Sequence, residues 1–524
     1  MRSIKALTLF STLCLSVLAA DQNTTFKFEE ASILDIQAAF TKGTLTSRQL
    51  VQWYVDRIHE HDHNYNSVSE LNPDIFMLAD RADALRKAGK SRGLLHGIPI
   101  LLKDNIATGD KMHNTAGSLA LYSEECRPTK SSTIATKLRQ AGALIFGKAC
   151  MSEWANFRTT DGSGAEYKDP DGWSGRCGQT HNAYNITRSP SGSSGGPAVA
   201  VALNFVTASL GTDTDCSIIA PAAIHGLVGI RPTVGLISRN MVIPISHSQD
   251  TPGPMAKSVT DAAIMMEALA GQDPRDPLTN MPRNPNKPIK YTKYLNKDGL
   301  KGARIGIPRH IYWEKMNRPE EKAVAEDAIE KLKSLGAIII DHADLPTADQ
   351  IADTSYGLGG VEATLLNYEF KQDIKDYLSN LKRQCPMKNL ADLIQYNKDH
   401  ADKEMPLFKQ EAFETAQNTT GLDDPFYKET LRLNRELSGP SGIDAAFQKY
   451  NLDAMFVPVD WAFFPPQPLA MAGYPQISVP IGMDDEGVPF GMSFYARAFD
   501  EPKLIQYAYA LEQATQARRP PQLL

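Results

Sequence analysis

The segment from Arg188 to Pro232, RSPSGSSGGPAVAVALNFVTASLGTDTDCSIIAPAAIHGLVGIRP, carries two serines on two turns of small residues. Ser193 lies in Gly192-Ser193-Ser194-Gly195-Gly196, and Ser217 ends Gly211-Thr212-Asp213-Thr214-Asp215-Cys216-Ser217, 24 residues further on. Small residues let backbone N–H groups face a ligand without side chains in the way. Such turns are the material for an anion or oxyanion site beside a hydroxyl nucleophile. The pattern predicts a helix from Pro197 to about Asn204 and a strand from Val206 to Leu210, joining the two turns.

The elements that must position these turns alternate. Ser32 and Asp35, then Thr46 and Gln49, read as capping boxes opening helices over 32–42 and 46–60, and a third helix runs over 74–88 to Gly89. Ile98 to Leu102 reads as a buried apolar strand that delivers Lys103 at its end. Helix 132–141, strand 143–147, helix 258–270, strand 304–307, helix 319–335 and strand 337–341 follow. Strands over 454–459, 476–481 and 491–496 and a helix over 502–517 complete the run. This alternation predicts an α/β fold with a mainly parallel or mixed sheet covered by helices on both faces. Pro274 to Lys301 reads as a long surface connection, and 354–441 as a helical insertion on a single domain spanning 21–524.

Several motifs together resemble the amidase signature family, the Ser-cisSer-Lys amidohydrolases. They are the segment above, Lys103 in LHGIPILLKDNI, Ser152-Glu153-Trp154-Ala155-Asn156, the run ending at Thr233, and the C-terminal AGYPQISVPIG and RAFDEPKLIQYAYALEQATQARRPP. The resemblance implies an α/β/α sandwich around a large twisted mixed sheet, and hydrolysis of a carboxamide or ester through an acyl-enzyme. It implies Ser217 as nucleophile, Ser193 as proton relay behind a cis peptide bond, and Lys103 as base. It also implies an oxyanion site from the backbone N–H groups of Thr214, Asp215, Cys216 and Ser217, with Ser194 and Asp213 as supports. A lysine of pKa about 10.4 serves as a base only where burial lowers that value, which its place after an apolar strand provides. The substrate implied is a small-molecule amide, with no cofactor and no metal. The pocket is expected to draw on the helical insertion and on Trp461 to Tyr474. A homodimer stays open. The alternatives are an amidotransferase catalytic subunit of the same family and a non-catalytic binding protein on the same fold.

The chain departs from the family in three places. Asp215 and Cys216 stand where many members have two glycines, and Ile219 where many have an arginine, which leaves Asp213 without that partner. Other patterns carry less. GxSxG around Ser194 does not follow a strand, as a hydrolase elbow requires. Gly142 to Ala149 lacks the final Ser/Thr of a phosphate loop and reads as strand. His59, His61 and His63 read as a solvated helix end rather than metal ligands. Asp104 adjoins Lys103, but neighbouring strand residues face opposite sides, so it is expected to point elsewhere.

Composition excludes some classes and favours a compartment. The formal charge is −6, without a basic run, which argues against nucleic acid as a partner. Arg2 and Lys5, the apolar Ala6 to Leu18, and Ala19-Ala20 read as a signal peptide over 1–20, too short in its apolar part to span a bilayer. A secreted protein with no membrane attachment after cleavage is the expectation. Sequons at Asn23, Asn185 and Asn418 are glycosylation candidates. Removing the leader leaves Cys126, Cys150, Cys177, Cys216 and Cys385; the odd count predicts at least one free thiol, Cys216 being the candidate, and at most one disulfide.

Overall fold

Strand β2, Pro99–Lys103, is buried at all five residues and runs through the middle of one half of a large sheet. The computed structural model describes residues 26–159, 171–281, 289–310, 312–316, 318–354, 360–459 and 468–524. The leader, Asn23 and the first half of the Trp461–Tyr474 stretch lie outside the described residues.

Thirteen strands are described: β1 Val68–Leu71, β2, β3 Leu144–Ala149, β4 Trp173–Ser174, β5 Gly178–Gln179, β6 Ala208–Asp213, β7 Val228–Arg231, β8 Thr251–Ala256, β9 Arg304–Ile307, β10 Ile338–Asp341, β11 Ala454–Val459, β12 Gln476–Met483 and β13 Pro489–Tyr495. Eleven form one mixed sheet in the order β1-β3-β2-β6-β8-β7-β12-β13-β11-β9-β10, and β4 and β5 form a small hairpin. β2 pairs in parallel with β3 and β6, β6 pairs antiparallel with β8, and β11, β9 and β10 are parallel again. Every residue of β2, β3, β6, β7, β8, β11 and β13 is buried. Strands buried throughout are covered on both faces, so the sheet is the middle layer of an α/β architecture.

Local rules account for the elements. Both N-terminal capping boxes form, Ser32 with Asp35 ahead of Ile33–Lys42 and Thr46 with Gln49 ahead of Ser47–His61. Helix Gly195–Ala202 is buried at all eight residues. It holds only Gly, Pro, Ala and Val because it packs close: a Cβ on Gly196 would overlap the carbonyl oxygens of Cys150 and Ser67. The strand and helix boundaries otherwise fall within a few residues of expectation, and Gly142–Ala149 contributes β3. Three sheet strands, β1, β7 and β8, go beyond the elements read from sequence. Gly211–Asp213 belongs to β6 rather than to a turn, so the turn carrying Ser217 is shorter and tighter than expected. His59 and His61 end helix Ser47–His61, and His63 sits in the short turn after it.

From Val361 to Ser438 the longer described elements are helices, Val361–Ser379, Leu390–Asp399, Glu411–Gln417 and Pro425–Ser438. Their second apolar core, with Phe370, Leu393 and Phe413, closes on Trp154 and Leu121 from the sheet side. Two disulfides are present where one at most was expected. Cys126–Cys385 ties this helical region to the loop after β2, and Cys150–Cys177 ties the end of β3 to the β4–β5 hairpin. An odd count bounds the thiols left over, not the bridges; among the described residues the cysteine outside both bridges is the buried Cys216. Among the described residues, no helix is long and apolar enough to cross a membrane.

Candidate active site

The parallel register of β3, β2 and β6 brings Lys103, at the end of β2, beside Thr212 on β6 and the 192–194 turn. The Lys103 side chain is fully buried. Its Nζ lies 2.7 Å from Ser193 Oγ and 3.0 Å from the Thr212 carbonyl oxygen. Burial pushes the amine down to about 7, against the opposing charges of Asp213, Asp250 and Asp171. At that value the amine is neutral in about half of the molecules at pH 7. It can then accept the proton of the hydroxyl beside it.

Asp104 does face away. Its carboxylate accepts from Arg176 at 2.8 Å and from Thr115, with Lys148 at 3.6 Å. The consecutive carboxylate and amine serve different sites, as strand alternation dictates.

Ser193 is also fully buried, and the Gly192–Ser193 peptide bond is cis. Its carbonyl oxygen accepts from the Ser152 N–H at 3.2 Å. Gly192 fits against Asp171 and Ser152 only because it has no side chain; a Cβ there would overlap Asp171 Oδ1 and Ser152 Oγ. Ser152 Oγ accepts from the Gly172 N–H at 2.8 Å, so the 152 and 171–172 segments form one cradle. Ser194 Oγ donates to the Thr212 carbonyl oxygen at 3.2 Å. The Thr212 carbonyl therefore holds both Lys103 and Ser194.

Ser217 is joined to this group through the backbone. The Ser194 N–H donates to the Ser217 carbonyl oxygen at 3.2 Å, and Ser217 retains 8% exposure. Ser217 thus keeps a contact with solvent that Ser193 and Lys103 lack. Cys216 has φ 68°, the left-handed region that favours glycine, which explains why a glycine suits that position. Its thiol is pushed well up by burial, and next by the charges of Asp215 and Asp213, so it is a poor nucleophile. The Asp215 carboxylate acts on Cys216 and on the Tyr312 phenol. Thr214 Oγ1 donates to Asp250 Oδ1 at 2.6 Å, while Asp250 Oδ2 accepts from the Ile245 and Ser246 N–H groups at 2.8 and 3.0 Å.

Asp213 does not lack an arginine. Arg231, from β7, donates through Nη1 to Asp213 Oδ1 at 2.5 Å and to the Asp213 carbonyl oxygen at 2.9 Å. The other carboxylate oxygen of Asp213 accepts from the Ile218 N–H at 2.7 Å. The cation missing at Ile219 is thus supplied from β7, which lies one strand beyond β8 from the β6 strand that ends at Asp213. Arg231, Asp250, Asp171 and the Thr212 carbonyl were not singled out from sequence. Arg231 lay in plain view in the Gly-Ile-Arg-Pro run, but its contact to Asp213 crosses from one strand to another.

A buried amine 2.7 Å from one hydroxyl, with a second hydroxyl on the adjoining turn, can move a proton away from an attacking serine. Comparisons with known proteins place the chain among amidases. The profile of the family described as Amidase matches residues 49–505. A protein named "Probable amidase" from Arabidopsis thaliana is 39% identical over 99% of this chain and 97% of its own length. A glutamyl-tRNA(Gln) amidotransferase subunit from Alkaliphilus metalliredigens is 31% identical over 93% of this chain and 97% of its own length. The native peptide amidase structure from Stenotrophomonas maltophilia superposes with a TM-score of 0.86 at 43% identity, covering 95% of this chain and 99% of that one. The chain belongs to the amidase family, on the amidase signature fold, and is a hydrolase acting on amide bonds.

Proposed function

We propose that this chain is a secreted amidohydrolase that works through an acyl-enzyme on Ser217, with Ser193 as relay and Lys103 as base. Ser217 Oγ attacks the amide carbonyl carbon while its proton passes to Ser193 Oγ, whose own proton passes to Lys103 Nζ. The carbonyl oxygen becomes an oxyanion facing the backbone N–H groups of Thr214 to Ser217; losing one such donor lowers rates by about 10²–10³. The C–N bond then breaks. The leaving amine takes a proton from Ser193, which is restored from Lys103. Water repeats the sequence on the ester and releases the acid. The observation that carries this reading is the 2.7 Å contact between Ser193 Oγ and a buried amine held near neutrality.

The substrate class we favour is a small amide, with peptide amides first, because a structural neighbour at 43% identity is a peptide amidase. The amidotransferase reading rests on relatives near 31% identity and fits an extracellular chain poorly. Two disulfides support an oxidising compartment, as do the leader and the sequons. Asn418 is exposed at the end of helix Glu411–Gln417, whereas Asn185 is half-buried in a turn with Thr187. Asn418 is therefore the better glycan site.

A fluorophosphonate probe with peptide mapping tests the assignment. The adduct is expected on Ser217, lost in Ser217→Ala and kept in Ser194→Ala. An adduct that persists in Ser217→Ala overturns it. Expression with the native leader is expected to put active, endoglycosidase-sensitive protein in the medium; retention inside cells overturns the secretion reading.

A further inference from the structure

The guanidinium of Arg231 is fully buried at the end of β7 and touches no group that the proposed chemistry uses directly. Its hydrogen bonds nonetheless converge behind the Ser217 turn. Nη1 donates to the carboxylate and the carbonyl oxygen of Asp213, and Nη2 donates to the Gln249 carbonyl oxygen at 2.8 Å. Asp213 in turn fixes the Ile218 N–H, immediately after Ser217. Gln249 precedes Asp250, whose carboxylate holds Thr214 at the start of the same turn. The Gln249 side chain also donates to Glu362 at 2.6 Å. Arg231 is thus a cation shared by the two supports at either end of the Thr214–Ile218 turn.

We propose that Arg231 is a positioning residue for acyl transfer: it pins Asp213, and through it the turn carrying Ser217 and the oxyanion donors. This rests on the reading of Ser217 as nucleophile. The chain has Ile219, the first residue of helix Ile219–Ile224, where an arginine is common, so the role falls to Arg231 on β7.

The charges give this role a signature that simple packing lacks. Asp213 is the foremost opposing charge on Lys103, ahead of Asp250 and Asp171. Arg231 pairs with Asp213 and acts on Glu362 and on Cys216. Removing Arg231 leaves Asp213 uncompensated and raises the amine's midpoint. Removing the Asp213 charge lowers it. The two substitutions therefore shift the acid limb of the pH–rate profile in opposite directions.

The test uses the full mature chain, a fluorophosphonate probe and an amide substrate, with Arg231→Lys, Arg231→Met, Asp213→Asn and the double variant Arg231→Met/Asp213→Asn. Breaking one half of a buried pair is strongly destabilising, so the double variant, which removes both members of the Arg231–Asp213 pair, keeps the test open if Arg231→Met does not fold. The expected result is Ser217 labelling slower by about 10² in Arg231→Met and in the double variant, with KM little changed and partial rescue in Arg231→Lys. The acid limb is expected to move up in Arg231→Met and down in Asp213→Asn. Wild-type labelling rates in a folded Arg231→Met or double variant, or limbs moving together, refute the role of Arg231. A wild-type protein with no adduct at Ser217 instead refutes the reading of the site on which that role stands.

Discussion

Replacing Lys103 with Met isolates the energetic consequence of a buried amine. The amine falls from an ordinary 10.5 to about 7 in the folded chain. At 1.36 kcal/mol per unit, that shift is a penalty of about 5 kcal/mol for folding a protonated lysine into this site. The folded pKa lies below the unfolded one, so between pH 7 and 10.5 the unfolded chain binds more protons. Stability therefore rises with pH in that window, with the penalty complete below pH 7 and gone above 10.5. Met has no proton to bind, so Lys103→Met lacks this dependence. Urea unfolding of the oxidised protein at pH 7 and pH 9 reads the difference. The stability of Lys103→Met relative to wild type is expected to drop by about 2 kcal/mol between the two pH values, with amidase activity absent at both. The lost hydrogen bonds to Ser193 and Thr212 shift both points equally and do not enter the comparison. Parallel pH dependence in the two proteins would refute the claim that this amine is neutral in the folded state.

Three further outcomes follow from the geometry. Gly192→Ala places a methyl against Asp171 and Ser152 and is expected to destabilise by about 1–3 kcal/mol while slowing acylation, read by melting and probe labelling. Cys216→Gly suits the left-handed backbone and is expected to keep its activity, whereas Cys216→Val is expected to lose most of it; a kinetic comparison of the two decides. The double variant Cys126→Ser/Cys385→Ser opens a closure of 259 residues and is expected to lose about 3–5 kcal/mol in denaturant titration, with the helical region Val361–Ser438 exchanging amide hydrogen faster.

The parts of this molecule most legible in its sequence are those whose cause is local. The apolar run that ends at Lys103 became β2, and the capping boxes became the first two helices, because neighbours in sequence decide both. β8 was hidden by Pro252 and Pro254, which argue against a central strand. The register explains the exception: β8 pairs with β6 along Thr251–Met255 but with β7 only at Met255 and Ala256, so its prolines lie where the strand has one partner. β7 is four residues with a glycine and an arginine and shows no alternation. The site divides in the same way. The small-residue turns announced Ser193 and Ser217, but the Arg231–Asp213 pair depends on strand order, which no spacing reveals. The disulfide from Cys126 to Cys385 is hidden for the same reason.

The titration of Lys103 itself tests the proton path most directly. In protein labelled with 13C at the lysine ε-carbon, the resonance absent from Lys103→Met identifies this residue. A midpoint near pH 7 is expected for that resonance. A midpoint near the ordinary lysine value, about 10.4, would mean a charged amine beside Ser193 and would contradict the proposed proton path.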